Sequence, residues 1–163
     1  MTQILNNEDL LLVRLRVENF VSAYERCLDD DDLERWPDFF TEDGVYSVRS
    51  RENWEAGLPI PLMTCKGRPM MKDRVVAHRD ANIYAPHVNR HFHSGLQVDL
   101  IAEGLRATSN YLVVQTLNDG DTYIYQAGRC IDHLVETDEG LLLKERLVVA
   151  DAGRIQTLMV TPI

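Results

Sequence analysis

Basic charge is scarce in this chain: 17 Lys and Arg stand against 26 Asp and Glu, a formal net charge of −9 over 163 residues. The deficit argues against a nucleic-acid partner, because such binding draws on clustered Lys and Arg that release counterions. Long apolar runs are missing too. The longest, such as Leu10–Val13, is about four residues, far short of the ~20 that span a bilayer, so no membrane partner is expected. The opening Met1-Thr2-Gln3-Ile4-Leu5-Asn6-Asn7 has neither a basic segment nor a small-residue cleavage site, which points to a cytoplasmic protein. Cysteine is limited to Cys27, Cys65 and Cys130, odd in number and widely separated, so buried free thiols are expected in place of a disulfide framework. GxGxxG, GxSxG, HExxH and the phosphate-binding GxxxxGK pattern are all absent, which removes the nucleotide-binding, serine-hydrolase and zincin readings.

What is present is an ordinary globular composition, 45% apolar and 26% charged, at a length that fits one domain over residues 1–163. Leu10, Val13, Val17, Phe20, Val21, Tyr24 and Leu28 recur at three- and four-residue steps and predict an amphipathic helix from Glu8 to Leu28. The run Asp29-Asp30-Asp31-Asp32 reads as a solvated loop and cap for a short helix over Leu33 to Phe40; its spacing does not match a calcium loop. Asp43-Gly44 reads as a turn into a first strand, Gly44 to Arg51, and a short strand near Leu62 to Cys65 and a helix from Met70 to Ile83 follow. From His91 the pattern is mostly strand: His91–Leu100, Ala107–Leu117, Thr122–Glu136, Leu141–Ala150 and Gln156–Pro162, divided by Asp- and Gly-rich turns. Gly128, inside the longest strand, is a candidate bend or bulge. Helices first and hairpin-linked strands afterwards predict an α+β fold with a mostly antiparallel, strongly curved sheet.

His87, His91 and His93 cluster in the middle of the chain. Period two places His91 and His93 on one strand face with Gln97 and Asp99, and Phe92, Leu96, Val98 and Leu100 on the other, apolar face, leaving the imidazoles toward solvent, a pocket or another protein. A His-x-His pair can chelate, but no third ligand or facial carboxylate stands nearby, and without a Cys-x-His pair the chain cannot build a Rieske centre. Glu145 falls between Leu143 and Leu147 on an apolar face, where it needs a partner such as Arg129 or serves as a base of raised pKa. Tyr24, Tyr46, Asp43 and His91 are the set that could converge on a cavity inside a cone; aromatic residues at such positions are more often core members with one satisfied polar atom.

Three stretches carry a resemblance: Asp32-Leu33-Glu34-Arg35-Trp36-Pro37-Asp38-Phe39-Phe40-Thr41-Glu42-Asp43-Gly44-Val45-Tyr46, then Asn82-Ile83-Tyr84-Ala85-Pro86-His87-Val88-Asn89-Arg90-His91, then Leu142-Leu143-Lys144-Glu145-Arg146-Leu147-Val148-Val149-Ala150-Asp151. In this order and spacing the chain resembles the small (β) subunit of aromatic-ring-hydroxylating dioxygenases. The resemblance implies a cone-shaped barrel of the nuclear transport factor 2-like superfamily, and a non-catalytic subunit that forms a trimer within a hetero-hexamer with large α subunits. It also implies that the Rieske iron–sulfur cluster, the mononuclear iron and the dihydroxylation of an aromatic, carboxylated substrate belong to the α subunit. Interface candidates are then His91, His93, Arg90, Gln97 and Asp99, with no catalytic residue expected. One departure is His87-Val88-Asn89, where family members often carry a Ser-Arg pair before Arg-His. The same superfamily includes stand-alone dehydratases and isomerases, for which Tyr24, Asp43, Tyr46 and His91 would be the working residues.

Overall fold

A computed structural model describes residues 7–154, 159 and 161–163. The apolar stripe folds as helix α1 (Asn7–Asp29), with Glu8 and Asp9 in its first turn and Arg26 in its last, charges that suit the helix macrodipole. Val17, Val21, Tyr24 and Leu28 are buried, whereas Leu10, Leu11, Leu12 and Leu15 stay exposed, so the front of the helix overhangs the core. A 3-10 segment, Leu33–Phe39, follows with Pro37 inside it. Asp32 stands at its N-cap, but its side chain caps nothing and meets Arg35 at 3.3 Å instead. The aspartate run is an exposed turn at Asp30 and Asp31 as expected, but its side chains pair across the fold and cap nothing: Asp29 reaches His91 and Asp31 reaches Arg79, both at 2.7 Å.

Strand β1 (Phe40–Ser50) starts four residues before the expected Gly44. Asp43-Gly44 is not a turn but part of an irregular stretch between the Phe40 and Val45 pairings, where a β-carbon on Gly44 would lie 2.9 Å from that of Phe40. Ser50 caps a short helix α2 (Arg51–Glu55), not expected from the sequence, by accepting a hydrogen bond from the Asn53 amide. Strand β2 (Met63–Lys66) and helix α3 (Gly67–Asp80) lead to four long strands, β3 (His87–Ile101), β4 (Gly104–Leu117), β5 (Thr122–Thr137) and β6 (Gly140–Ala150). Of the further strand expected at Gln156–Pro162, residues 156–158 and 160 lie outside the described residues.

The strands form one open sheet in the order β2-β1-β6-β5-β4-β3. Among the described residues only β1 and β6 run parallel. Helix α1 packs against β3, α3 against β1, and both against the 3-10 segment, so the helices cover one face of the sheet. Trp36 seals the joint: fully buried, it meets Tyr46 and Phe40 edge-on at 5.2 and 5.8 Å, and its indole N–H donates to the Tyr24 hydroxyl at 2.9 Å, which removes the cost of burying that donor. Gly128 is not at a bulge, its pairings with Tyr111 and Ala150 being in register. A β-carbon there would overlap the Val149 carbonyl oxygen, so the glycine permits close strand approach, while the register shifts of β5 fall beside Val113 and at His133.

Candidate functional site

One row of opposed residues crosses the covered face of the sheet: Val98, Ala107, Asp132, Arg146, Tyr46 and Cys65. At its centre Arg146 donates two hydrogen bonds to Asp132, at 2.9 and 3.1 Å, and both side chains are 3% exposed. The guanidinium also lies 3.9 Å from the centre of the Tyr24 ring. Burial works against the Arg146 charge, yet the facing Asp132 carries its pKa well upward. Burial also raises the Asp132 carboxyl, against the pull of Arg146. The Tyr24 hydroxyl donates to the Ile163 carbonyl at 3.2 Å, and the Ile163 amide donates to the Tyr46 hydroxyl at 2.8 Å. Burial pushes Tyr24 up to about 12 and Tyr46 well above the usual phenol value. Neither phenol is tuned toward neutral pH, where a general acid or base works best.

Alternation along β6 predicted an inward Glu145; the structure turns Glu145 out and Arg146 in. The cause is a bulge. The register passes from His133–Glu145 to Leu134–Leu143, so Lys144 is an extra residue and the faces exchange there. Arg129, the expected partner of Glu145, is exposed and opposes Val149. Asp43 does not join Tyr24 and Tyr46 in the interior. It is exposed, bonded to Thr41 at 2.9 Å and Lys144 at 3.2 Å, two contacts that hold its carboxyl below the usual range.

Strand β3 shows the same inversion. Its register shifts between Ser94–Asn110 and Gln97–Thr108, and Gly95 takes the left-handed φ of 64° that the bulge requires. His91 and His93 therefore point inward before the bulge and Leu96 and Val98 inward after it, while Phe92, expected inside, is 52% exposed. The two histidines do not share a face with Gln97 and Asp99. His91 Nδ1 lies 2.7 Å from Asp29, whose carboxylate also accepts the His91 backbone amide at 3.0 Å, satisfying an outward donor of an edge strand. The other ring nitrogen, Nε2, is buried and has no hydrogen-bond partner among the described residues. His93 is bracketed, with Nδ1 2.8 Å from Glu25 and Nε2 2.7 Å from Glu18. Burial opposes the charge on His93, but the two carboxylates carry its pKa upward. Glu18, Glu25 and Asp29 were missed as functional anchors, although steps of seven and four residues put them on one helical stripe.

Among the described residues no group of three or more His, Cys, Asp or Glu is placed to hold a metal. The three cysteines are buried and unpaired, and burial pushes the Cys27 and Cys130 thiols up to about 11 and 12, away from the reactive thiolate form. Among the described residues no helix is long and apolar enough to cross a membrane.

The opposite face of the sheet is open. Its rows set Phe92 beside Leu112 and Ala127, Arg90 beside Val114 and Ile124, and Gln97 beside Thr108 and Ile131. Val88, Phe92 and Ile124 are 62%, 52% and 66% exposed, and Arg90, Gln97 and Asp99 are exposed with them.

Residues 9–147 match the family model of the SnoaL-like domain. Over 143 residues, 87% of this chain and 89% of the relative, the chain is 46% identical to the anthranilate 1,2-dioxygenase small subunit of Burkholderia cepacia. The chain belongs to the small (β) subunits of aromatic-ring-hydroxylating dioxygenases. A β subunit of the terephthalate 1,2-dioxygenase terminal oxygenase component from a Comamonas species is 31% identical over 155 residues, 94% of this chain and all of that one. The solved structure of a chain assigned as the β subunit of an aromatic-ring-hydroxylating dioxygenase from Novosphingobium aromaticivorans superposes with a TM-score of 0.85 at 40% identity, covering 94% of this chain and 99% of that one.

Proposed function

We propose that this β subunit acts by assembly: it joins a large α subunit and further copies of itself, as a trimer within a hetero-hexamer, and leaves the chemistry to the α subunit. The α subunit would hold the Rieske cluster and the mononuclear iron and would dihydroxylate an aromatic acid related to anthranilate or terephthalate, the compounds named for the relatives. The observation that carries this reading is the contrast between an interior closed around Asp132 and Arg146 and an outer face on which Val88, Phe92 and Ile124 lie open to water, where a partner subunit would cover them. Arg90, Gln97 and Asp99 belong to that contact surface, and His91 and His93 brace its strand from behind. A stand-alone dehydratase is disfavoured because Asp43 lies outside, and Tyr24 and Tyr46 bond the backbone of Ile163.

Co-expression with the cognate large subunit, followed by mass measurement and iron analysis, tests the reading. A complex of the two chains whose iron remains with the large subunit after separation is expected. A β chain that never enters a complex and alone dehydrates or isomerises a small ligand would overturn it.

A further inference from the structure

We propose that the groove beneath Trp54, on the open sheet face, is a socket for the acidic β5–β6 turn, Asp138-Glu139, of a second copy of this chain. The inference rests on the self-association proposed above and names its contact. The groove encloses about 410 Å³ and is lined by Trp54, Gln97, Arg106, Thr108, Asn110 and Arg129. A smaller space of about 190 Å³ continues it past Trp54, Asn110 and Arg129, where Arg51 is already paired with Glu55 at 2.8 Å and Asp151 at 3.6 Å.

Like the exposed Arg14 and Arg26, Arg106 and Arg129 have no ion pair among the described residues, and these two line one groove together. On this acidic surface Arg16, Arg35, Arg79 and Arg90 each meet a carboxylate within 4 Å. Among the described residues Arg106 and Arg129 meet none, although Asp99 opposes Arg106 in the register. Two unpaired guanidiniums beside an indole, flanked by two side-chain amides and a hydroxyl, form a receptor for carboxylate, since the guanidinium fork matches carboxylate geometry. Trp and Arg also dominate the energetics of protein contacts.

The chain carries the complementary plug. Asp138 and Glu139 are exposed at the tip of the hairpin closed by the Thr137–Gly140 pair, and among the described residues their carboxylates have no hydrogen bond or ion pair. The other acidic turn is less available, because the Asp119 carboxylate accepts the Asp121 amide at 3.1 Å. The β5–β6 turn is two residues long, and among the described residues neither of its carboxylates meets an arginine of its own chain. A second copy supplies the turn in this proposal, its acidic charge matching the basic groove. Socket and plug are different surfaces, so the contact is heterologous, and repeating it about a closing rotation gives a ring.

The test uses the full chain, with mass measured by light scattering across protein and salt concentration and folding checked by circular dichroism. Arg106→Ala/Arg129→Ala and, separately, Asp138→Asn/Glu139→Gln should each stay folded and lose self-association by at least about tenfold, the loss of one strong charged contact. Mixed one to one, the two variants should form a dimer through one intact socket and plug, and no ring. Wild-type mass in both variants, or a mixture that stays monomeric, overturns the socket. Loss confined to the arginine variant overturns the Asp138-Glu139 turn as occupant. If the arginine variant keeps its mass and loses only the binding of added benzoate, the groove is a small-molecule carboxylate site and the proposal falls. A wild-type chain that is monomeric at every concentration refutes the self-association reading itself; a wild-type oligomer with unaffected variants refutes only the socket.

Discussion

The covered and open faces of this sheet are built from the same strands, yet they treat charge in opposite ways. On the covered face Arg146 and Asp132 meet at 2.9 Å with both side chains 3% exposed, and Tyr24, Tyr46 and Trp36 bond one another or the backbone of Ile163. On the open face Arg106, Arg129 and Glu145 have no ion-pair partner among the described residues, and Phe92 and Ile124 are more than half exposed. A buried charge tolerated only because it is paired belongs to the architecture. Exposed apolar side chains beside unpaired charge mark a surface still to be covered.

The contrast breaks most readily at its buried centre. Arg146→Ala leaves the Asp132 carboxylate buried alone and should cost about 3–5 kcal/mol, a large share of the ~5–15 kcal/mol that holds a domain together. Urea unfolding checks this, and a loss below about 1 kcal/mol would show that water reaches the interior. Phe92→Asp/Ile124→Asp should do the reverse: unfolding changes by no more than about 0.5 kcal/mol, as for other surface substitutions, while co-purification with the large subunit or with tagged copies of the chain is lost. Retained assembly would move the interface off this face.

The histidine seam at the edge of the sheet gives an intermediate effect, and its direction in pH is fixed. Glu25 and Glu18 raise the folded pKa of His93, so its contribution is complete below the ordinary imidazole value of about 6.5 and fades as pH rises through the raised folded value. Stability measured from pH 6 upward should fall in the wild type, and the slope should flatten in His93→Gln. An unchanged slope would assign the loss to another group. The smallest effect is expected at Glu145. Because Glu145 is exposed, Glu145→Ala should change unfolding by no more than about 0.5 kcal/mol, whereas a buried, paired carboxylate would cost several-fold more.

Glu145 also shows where sequence reading ends. Apolar spacing located α1, and Asp- and Gly-rich turns located the β4–β5 and β5–β6 hairpins, because those signals are local. The inward and outward assignment failed on β3 and β6, where one extra residue at a bulge reverses every later side chain. Gly95, between the His91/His93 pattern and the Leu96/Val98 pattern, was the visible clue on β3. Lys144 offered none, because a lysine is equally at home on an exposed strand face. The pairing of Asp132 with Arg146, and of Asp29 with His91, depends on tertiary register and leaves no trace in local periodicity.

Turnover of the assembled enzyme tests most directly whether this chain works through its outer surface and not through its interior. Tyr24→Phe and Tyr46→Phe each remove an interior hydroxyl and leave the sheet face intact. Reconstituted with the large subunit, both should give wild-type turnover per iron. An assembled, iron-loaded complex that loses turnover with either substitution would contradict the account and return the chemistry to the cone.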